Sequence, residues 1–67
     1  MAKIQLNGKK ISIKSNFSLE DLLKKYKLFN KKVAIEHNGK IIQKINFKNK
    51  LLKNNDKIEI VHFIGGG

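Results

Sequence analysis

The sequence contains no cysteine, no proline, no tryptophan and no arginine. Without cysteine, a disulfide framework and thiolate metal ligands are excluded, and a cytoplasmic setting is expected. No apolar run approaches the roughly 20 residues of a membrane span. The N-terminal residues also lack the apolar segment of a secretory signal, so no membrane contact is expected. These absences leave a single small domain that must fold without covalent staples.

All fifteen basic residues are lysine, and with only five acidic residues the net charge is +10. Such a charge is typical of nucleic-acid binding, but arginine supplies the planar fork that reads guanine and phosphate. The lysines are also spread from Lys3 to Lys57 rather than gathered in one stripe. We therefore predict no nucleic-acid partner. The charge resembles a composition bias more than a selected binding face, and steering of the protein toward an acidic partner stays as a weaker alternative. A small basic nucleic-acid-binding module stays as the alternative from a different class.

Two Asn-Gly pairs and one amphipathic segment predict the secondary structure. Asn7-Gly8 and Asn38-Gly39 each separate two runs of alternating apolar residues, which is typical of a tight β-hairpin. Ser18 and Asp21 form an approximate capping box at the start of a helix of two to three turns. One face of this helix carries an apolar stripe, which consists of Leu19, Leu22, Leu23 and Tyr26.

The remaining third of the chain predicts an irregular segment, a polar turn and a last strand. Four apolar residues of residues 44–53 are expected to fill the core from an irregular or 3₁₀ segment, namely Ile45, Phe47, Leu51 and Leu52. The order is then β-β-α-β-β-irregular-β, with one helix on one face of a mixed, five-stranded sheet. Burying every apolar face brings the first and last strands together, parallel, in mid-sheet. This α+β arrangement is the β-grasp, or ubiquitin-like, fold, expected over residues 1–64.

The sequence offers little for catalysis. It has no paired carboxylates, no cysteine nucleophile and no glycine loop followed by the Lys-Ser/Thr of a phosphate site. His37 and His62 have no histidine or acidic neighbours at metal-ligand spacing, so solvated or packed histidines are expected. We predict a protein that is not an enzyme and binds no metal.

The final residues, Gly65, Gly66 and Gly67, follow directly on the last strand. Glycine forms a slim, flexible chain, and three such residues carry a carboxylate roughly 10 Å beyond the domain. Residues 65–67 are thus expected to be a flexible tail, with a frayed end as the simpler alternative. Val61, Phe63 and Ile64 break the alternation of the strand just before it. They predict a docking face beside the tail, although a twisted or bulged strand would also explain them.

Residues 33–42 and, above all, residues 55–67 resemble the ThiS family of sulfur carriers in thiamin biosynthesis. The resemblance covers the whole chain in length and element order. Asn55 departs from it, because the family usually has glycine there, and residues 44–50 also differ. Asparagine tolerates left-handed angles, so we expect the turn to survive.

The resemblance implies that the Gly67 carboxylate is adenylated with ATP by an E1-like activating enzyme. Sulfur from a persulfide donor then displaces AMP and leaves a terminal thiocarboxylate, which thiazole synthase consumes. Gly65 and Gly66 would thread the partners' active sites, and no cofactor would be bound by the carrier itself. The alternatives are a sibling carrier of the molybdopterin synthase small-subunit type and a ubiquitin-like protein modifier.

Overall fold

The computed structural model describes residues 1–62, which form five strands and one α-helix. Phe63 to Gly67 lie outside the described residues. The elements are β1 (Ala2–Leu6), β2 (Lys9–Ile13), α1 (Leu19–Lys25), β3 (Val33–His37), β4 (Lys40–Ile42), a 3₁₀ turn (Lys44–Asn46) and β5 (Lys57–His62). The predicted order of elements is confirmed.

The five strands form one mixed sheet with the order β2-β1-β5-β3-β4. The first and last strands are parallel at its centre, where Gln5 pairs with Lys57 and Leu6 with Ile58. Every other pairing is antiparallel. This is the predicted β-grasp topology, and it makes β5 a central strand with a partner on either side.

Both Asn-Gly pairs form hairpin turns with positive φ at each residue. Asn7 and Gly8 have φ values of 49° and 85°, and Asn38 and Gly39 have values of 51° and 88°. Two successive positive φ angles define a type I′ turn, whose twist matches that of the flanking strands. The sequence prediction of two tight hairpins is confirmed.

The helix begins with the predicted capping box. The Asp21 N–H donates to Ser18 Oγ at 3.0 Å, and the Ser18 N–H donates to Asp21 Oδ2 at 3.0 Å. Leu19, Leu22 and Leu23 are buried as expected. Tyr26 was wrongly assigned to the buried stripe: it caps the C-terminus with non-helical angles and is 40% exposed.

The segment after β4 fills the core with two of its four apolar residues. Phe47 and Leu52 are buried, whereas Ile45 and Leu51, both predicted to be buried, are 83% and 47% exposed. Ile45 lies within the 3₁₀ turn two positions before Phe47, so the two side chains project from different sides of a three-residue turn. Leu51 and Leu52 are neighbours in extended chain, where successive side chains point to opposite faces.

One face of the sheet packs against the helix and this segment, and the other face is open. The core consists of Ile4, Ile13, Leu19, Leu22, Leu23, Ile35, Phe47, Leu52 and Ile58. Asn55 holds a left-handed φ of 72°, which explains why asparagine can stand in this turn. Among residues 1–62, no helix is long and apolar enough to cross a membrane.

Candidate functional site

Strand β5 leads directly into the predicted tail. It pairs with β1 on one side and with β3 on the other, and Ile58 within it is completely buried. A strand held on both sides is a rigid base for whatever follows it. The predicted tail residues Gly65, Gly66 and Gly67, and the docking residues Phe63 and Ile64, lie outside the described residues. Their roles therefore stay predictions.

Val61 is the one predicted docking residue that the structure describes. It lies opposite Ala34 on β3, and 59% of its surface is exposed. Ile58, three positions earlier in β5 and therefore on the opposite face, is buried in the core. Val61 therefore lies on the open face of the sheet, as its parity predicted. Its part in docking stays a prediction.

The two turn asparagines hold β5 through their side chains. Asn38 Oδ1 accepts from the Lys57 N–H at 2.8 Å, at the start of the strand. Asn7 Oδ1 accepts from the Ile60 N–H at 2.8 Å, and Asn7 Nδ2 donates to the Ile60 carbonyl at 3.4 Å. The Asn7 amide thus extends the β1–β5 ladder toward the tail beyond the end of β1. The turn signal pointed to these residues, but their contacts to β5 were not foreseen.

His37 and Asp56 form a buried pair at the start of β5. His37 Nε2 lies 2.8 Å from Asp56 Oδ2, and both side chains are largely inaccessible. Asp56 also accepts from the Lys53 N–H at 2.7 Å and from Asn38 Nδ2 at 3.0 Å. His37 is a packed histidine, as expected, whereas His62 is exposed. The aspartate was missed because 19 positions separate it from His37 in the chain.

The ionised form of Asp56 is stabilised by these contacts. Burial raises the pKa of its carboxyl, but the hydrogen bonds from His37, the Lys53 N–H and Asn38 outweigh burial and hold the pKa below 3.8. The pair lies one whole strand away from His62, a distance of roughly 20 Å for six extended residues. It therefore ties the turn after residue 52 to β3 rather than serving the tail.

Within residues 1–62, no group of three histidine or acidic side chains could hold a metal ion. The Asp56 carboxylate accepts three hydrogen bonds, from His37, Asn38 and the Lys53 N–H, which satisfy its oxygens without a cation. The described part of the chain thus presents a scaffold whose central strand ends in two exposed residues, Val61 and His62.

A sequence model described as the ThiS family matches residues 3–67. The sulfur carrier protein ThiS of Bacillus subtilis (strain 168) is 46% identical over 65 residues, which span 96% of this chain and 98% of that protein. Both matches cover nearly the whole chain, and the match to the family model includes the three glycines.

Two further proteins are similar to this chain, one in its solved structure and one over a segment of a longer polypeptide. A crystal structure of the thiamine biosynthesis protein ThiS from Geobacter metallireducens has a TM-score of 0.82 at 26% identity and covers 97% of this chain. A thiazole synthase of Magnetococcus marinus is 38% identical over 65 residues, but the match spans only 20% of that protein. A segment similar to this whole chain is thus part of a longer polypeptide that is named for an enzyme.

Proposed function

The chain belongs to the ThiS family of sulfur carriers in thiamin biosynthesis, and we propose that Gly67 is the residue on which it carries sulfur. The observation that supports this proposal is the family match, which runs through residue 67 and so includes all three glycines. A terminal carboxylate on a slim chain can enter an active site that a folded domain cannot.

The proposed reaction converts the Gly67 carboxylate to a thiocarboxylate. A carboxylate oxygen attacks the α-phosphorus of ATP, which forms an acyl-adenylate and releases pyrophosphate. Because AMP is a good leaving group, the terminal sulfur of a persulfide donor can attack the carbonyl carbon and expel AMP, which forms an acyl disulfide. A thiol then cleaves the S–S bond, which releases the thiocarboxylate and joins the donor sulfur and the thiol in a disulfide. An E1-like enzyme supplies ATP and the catalytic groups, and the carrier itself acts as a substrate and binds no cofactor.

Thiazole synthase is the proposed acceptor of the sulfur. Its support is the Magnetococcus marinus thiazole synthase, one fifth of which resembles this chain. A carrier segment within the polypeptide of its acceptor would raise the local concentration of the donor. When the carrier and thiazole synthase are separate proteins, they must bind each other before sulfur is transferred. We propose that Val61, Phe63 and Ile64, which precede the tail, form the docking surface for this binding.

Intact mass spectrometry tests the proposal directly. After incubation with the cognate adenylating enzyme, ATP, a persulfide donor and a thiol reductant, the mass should rise by the difference between one sulfur and one oxygen atom. Deletion of Gly67 should abolish the change and leave the melting temperature unaltered, because the core ends before the tail. An unchanged mass with an enzyme that is active on its own cognate carrier would rule out the proposed function.

A further inference from the structure

The chain has only five acidic residues, and three of them have an evident structural role. Glu20 lies 3.7 Å from Lys24 one helical turn later, Asp21 closes the capping box, and Asp56 accepts three hydrogen bonds. The other two are Glu36 and Glu59. Among residues 1–62 neither of these forms an ion pair or a side-chain hydrogen bond, although the chain contains fifteen lysines.

Glu36 and Glu59 are direct cross-strand partners at the centre of the sheet. They pair in the antiparallel register of β3 and β5, on the open face. Like charges at directly opposed positions destabilise a sheet. Although lysines outnumber acidic residues fifteen to five, two of the five carboxylates lie next to each other instead of next to a lysine. Such a local conflict without structural compensation is typical of a functional surface.

Apolar side chains adjoin the two carboxylates. Ile41 pairs with Glu36 on the β4 side and is 66% exposed. The next pair on the same face of β3 and β5 joins Ala34 to Val61, which is 59% exposed. Together these side chains line a shallow depression of about 90 Å³. We call the surface formed by Ala34, Glu36, Ile41, Glu59 and Val61 the carboxylate patch.

We propose that the carboxylate patch receives an arginine side chain of the adenylating enzyme. The guanidinium group lies between Glu36 and Glu59, and its aliphatic stem packs on Ile41 and Val61. A planar fork with five N–H donors can engage two carboxylates at once, which a lysine ammonium does with less geometric precision. Binding relieves the repulsion between the two glutamates and covers the exposed apolar atoms.

The charges and the position of the patch favour this occupant. Two carboxylates repel the phosphates of nucleic acids and of anionic lipids, and a second copy of the chain with a net charge of +10 is repelled as a whole. The patch also lies on β5, six residues before Gly67 at Val61, so a partner that engages the tail reaches it. This inference rests on the proposed function and names the chemistry that recognises the docking face.

Steady-state kinetics of pyrophosphate release by the cognate adenylating enzyme test the proposal. The carrier concentration is varied for the wild type, Glu36→Gln, Glu59→Gln and the double variant. The double variant should raise KM for the carrier at least about tenfold, because bonds to charged groups are lost. The maximal rate should stay unchanged, since Gly67 and its tail are intact. The melting temperature should not fall, because the substitutions remove a repulsion.

Glu20→Gln on the helix is the matched control, because it changes the net charge by the same amount as either single variant. Its KM should stay at the wild-type value. A double variant with wild-type KM, or a control whose KM rises as much as that of Glu59→Gln, would overturn the proposal. These results require that the wild type releases pyrophosphate. If it does not, the proposed function itself fails, so the two failures are distinguishable.

Discussion

Asn7 and Asn38 combine two properties, a left-handed backbone conformation and a side chain that hydrogen-bonds to β5. Each holds a positive φ in a type I′ turn, and each also uses its side chain to bind the backbone of β5. Glycine would satisfy the turn but not the strand, and aspartate could not donate to the Ile60 carbonyl that Asn7 Nδ2 contacts. The position of β5 is therefore fixed by turn residues near each of its ends.

Asp56 makes the stability of the protein depend on pH. Its pKa is lower in the folded protein than in the unfolded chain, so its ionised form stabilises the fold. This contribution is fully present above pH 3.8 and is lost as the pH falls through the lower, folded-state pKa. The wild type should thus lose stability with acid, and Asp56→Asn should lose less over the same range.

Urea denaturation between about pH 5 and pH 2 measures this slope for both proteins. At neutral pH, Asp56→Asn should be less stable than the wild type by about 1–3 kcal/mol, because charge-assisted hydrogen bonds are weakened. Equal slopes for the two proteins would show that Asp56 does not carry the pH dependence.

At this scale the sequence predicted residue types better than contacts. The Asn-Gly pairs and the Ser18–Asp21 capping box are local signals, because the interacting groups lie within three residues of each other. The pairs His37–Asp56 and Glu36–Glu59 are 19 and 23 positions apart, and only the sheet register brings them together. No spacing rule along the chain reports such a pair before the strands are paired.

At the scale of elements, the segment after β4 completes the core and forms hydrogen bonds to the N-terminus of the helix. The Glu20 N–H donates to the Phe47 carbonyl at 3.1 Å, and the Leu19 N–H donates to the Lys50 carbonyl at 3.0 Å. These bonds satisfy two of the N–H groups that a helix leaves unpaired at its start. The segment is neither a regular helix nor a strand, so its apolar residues show no regular spacing. For this reason the burial of two of its four apolar residues, Ile45 and Leu51, was predicted wrongly.

Phe47→Ala and Ile45→Ala separate the buried and exposed residues of this segment. Phe47→Ala should lower the free energy of unfolding by about 3–5 kcal/mol, through lost transfer energy and the cavity left behind. Ile45→Ala should change it by less than about 0.5 kcal/mol, as for an ordinary surface position. Chemical denaturation measures both, with Phe47→Leu as the variant to use if Phe47→Ala does not fold. Comparable losses at Ile45 and Phe47 would contradict the packing described above.

The strands were predicted more fully than this segment. Alternation gave the two hairpins, and the need to bury one face of each strand gave the parallel contact between β1 and β5. The topology follows from the requirement that one helix cover one sheet, which leaves few arrangements for this element order. The three glycines by themselves predicted a slim tail, whereas only the family resemblance implied a chemical role for Gly67, and both stay predictions.

At the scale of the whole molecule, the net charge of +10 opposes compact folding. Lysines occur on every strand except β3, on the helix and in the turns, so folding brings many positive charges closer together. Among residues 1–62, Lys24 forms an ion pair with Glu20, whereas the buried His37–Asp56 contact involves none of the lysine side chains. The repulsion among the lysines is therefore largely uncompensated within the described part of the chain.

Salt should consequently stabilise the protein. The Debye length is about 30 Å at 10 mM and about 8 Å at 0.15 M ionic strength, whereas the radius of gyration is 11.3 Å. At the lower salt concentration, lysines across most of the molecule repel one another, whereas at the higher concentration only neighbouring lysines do. The melting temperature should rise by several degrees between these conditions, since ~1 kcal/mol corresponds to about 4–8 °C for a domain of this size.

Lys14→Glu and Lys48→Glu provide the matched comparison, because both lysines are exposed and lie outside the helix and the strands. Each substitution lowers the net charge by two, so the double variant carries +6 instead of +10. It should melt at a higher temperature than the wild type in 10 mM salt and gain less from added NaCl. The prediction would be wrong if the wild-type melting temperature stayed constant or decreased when the salt concentration is raised. The lysines would then be too far apart to repel one another, and the net charge would not lower the stability of the fold.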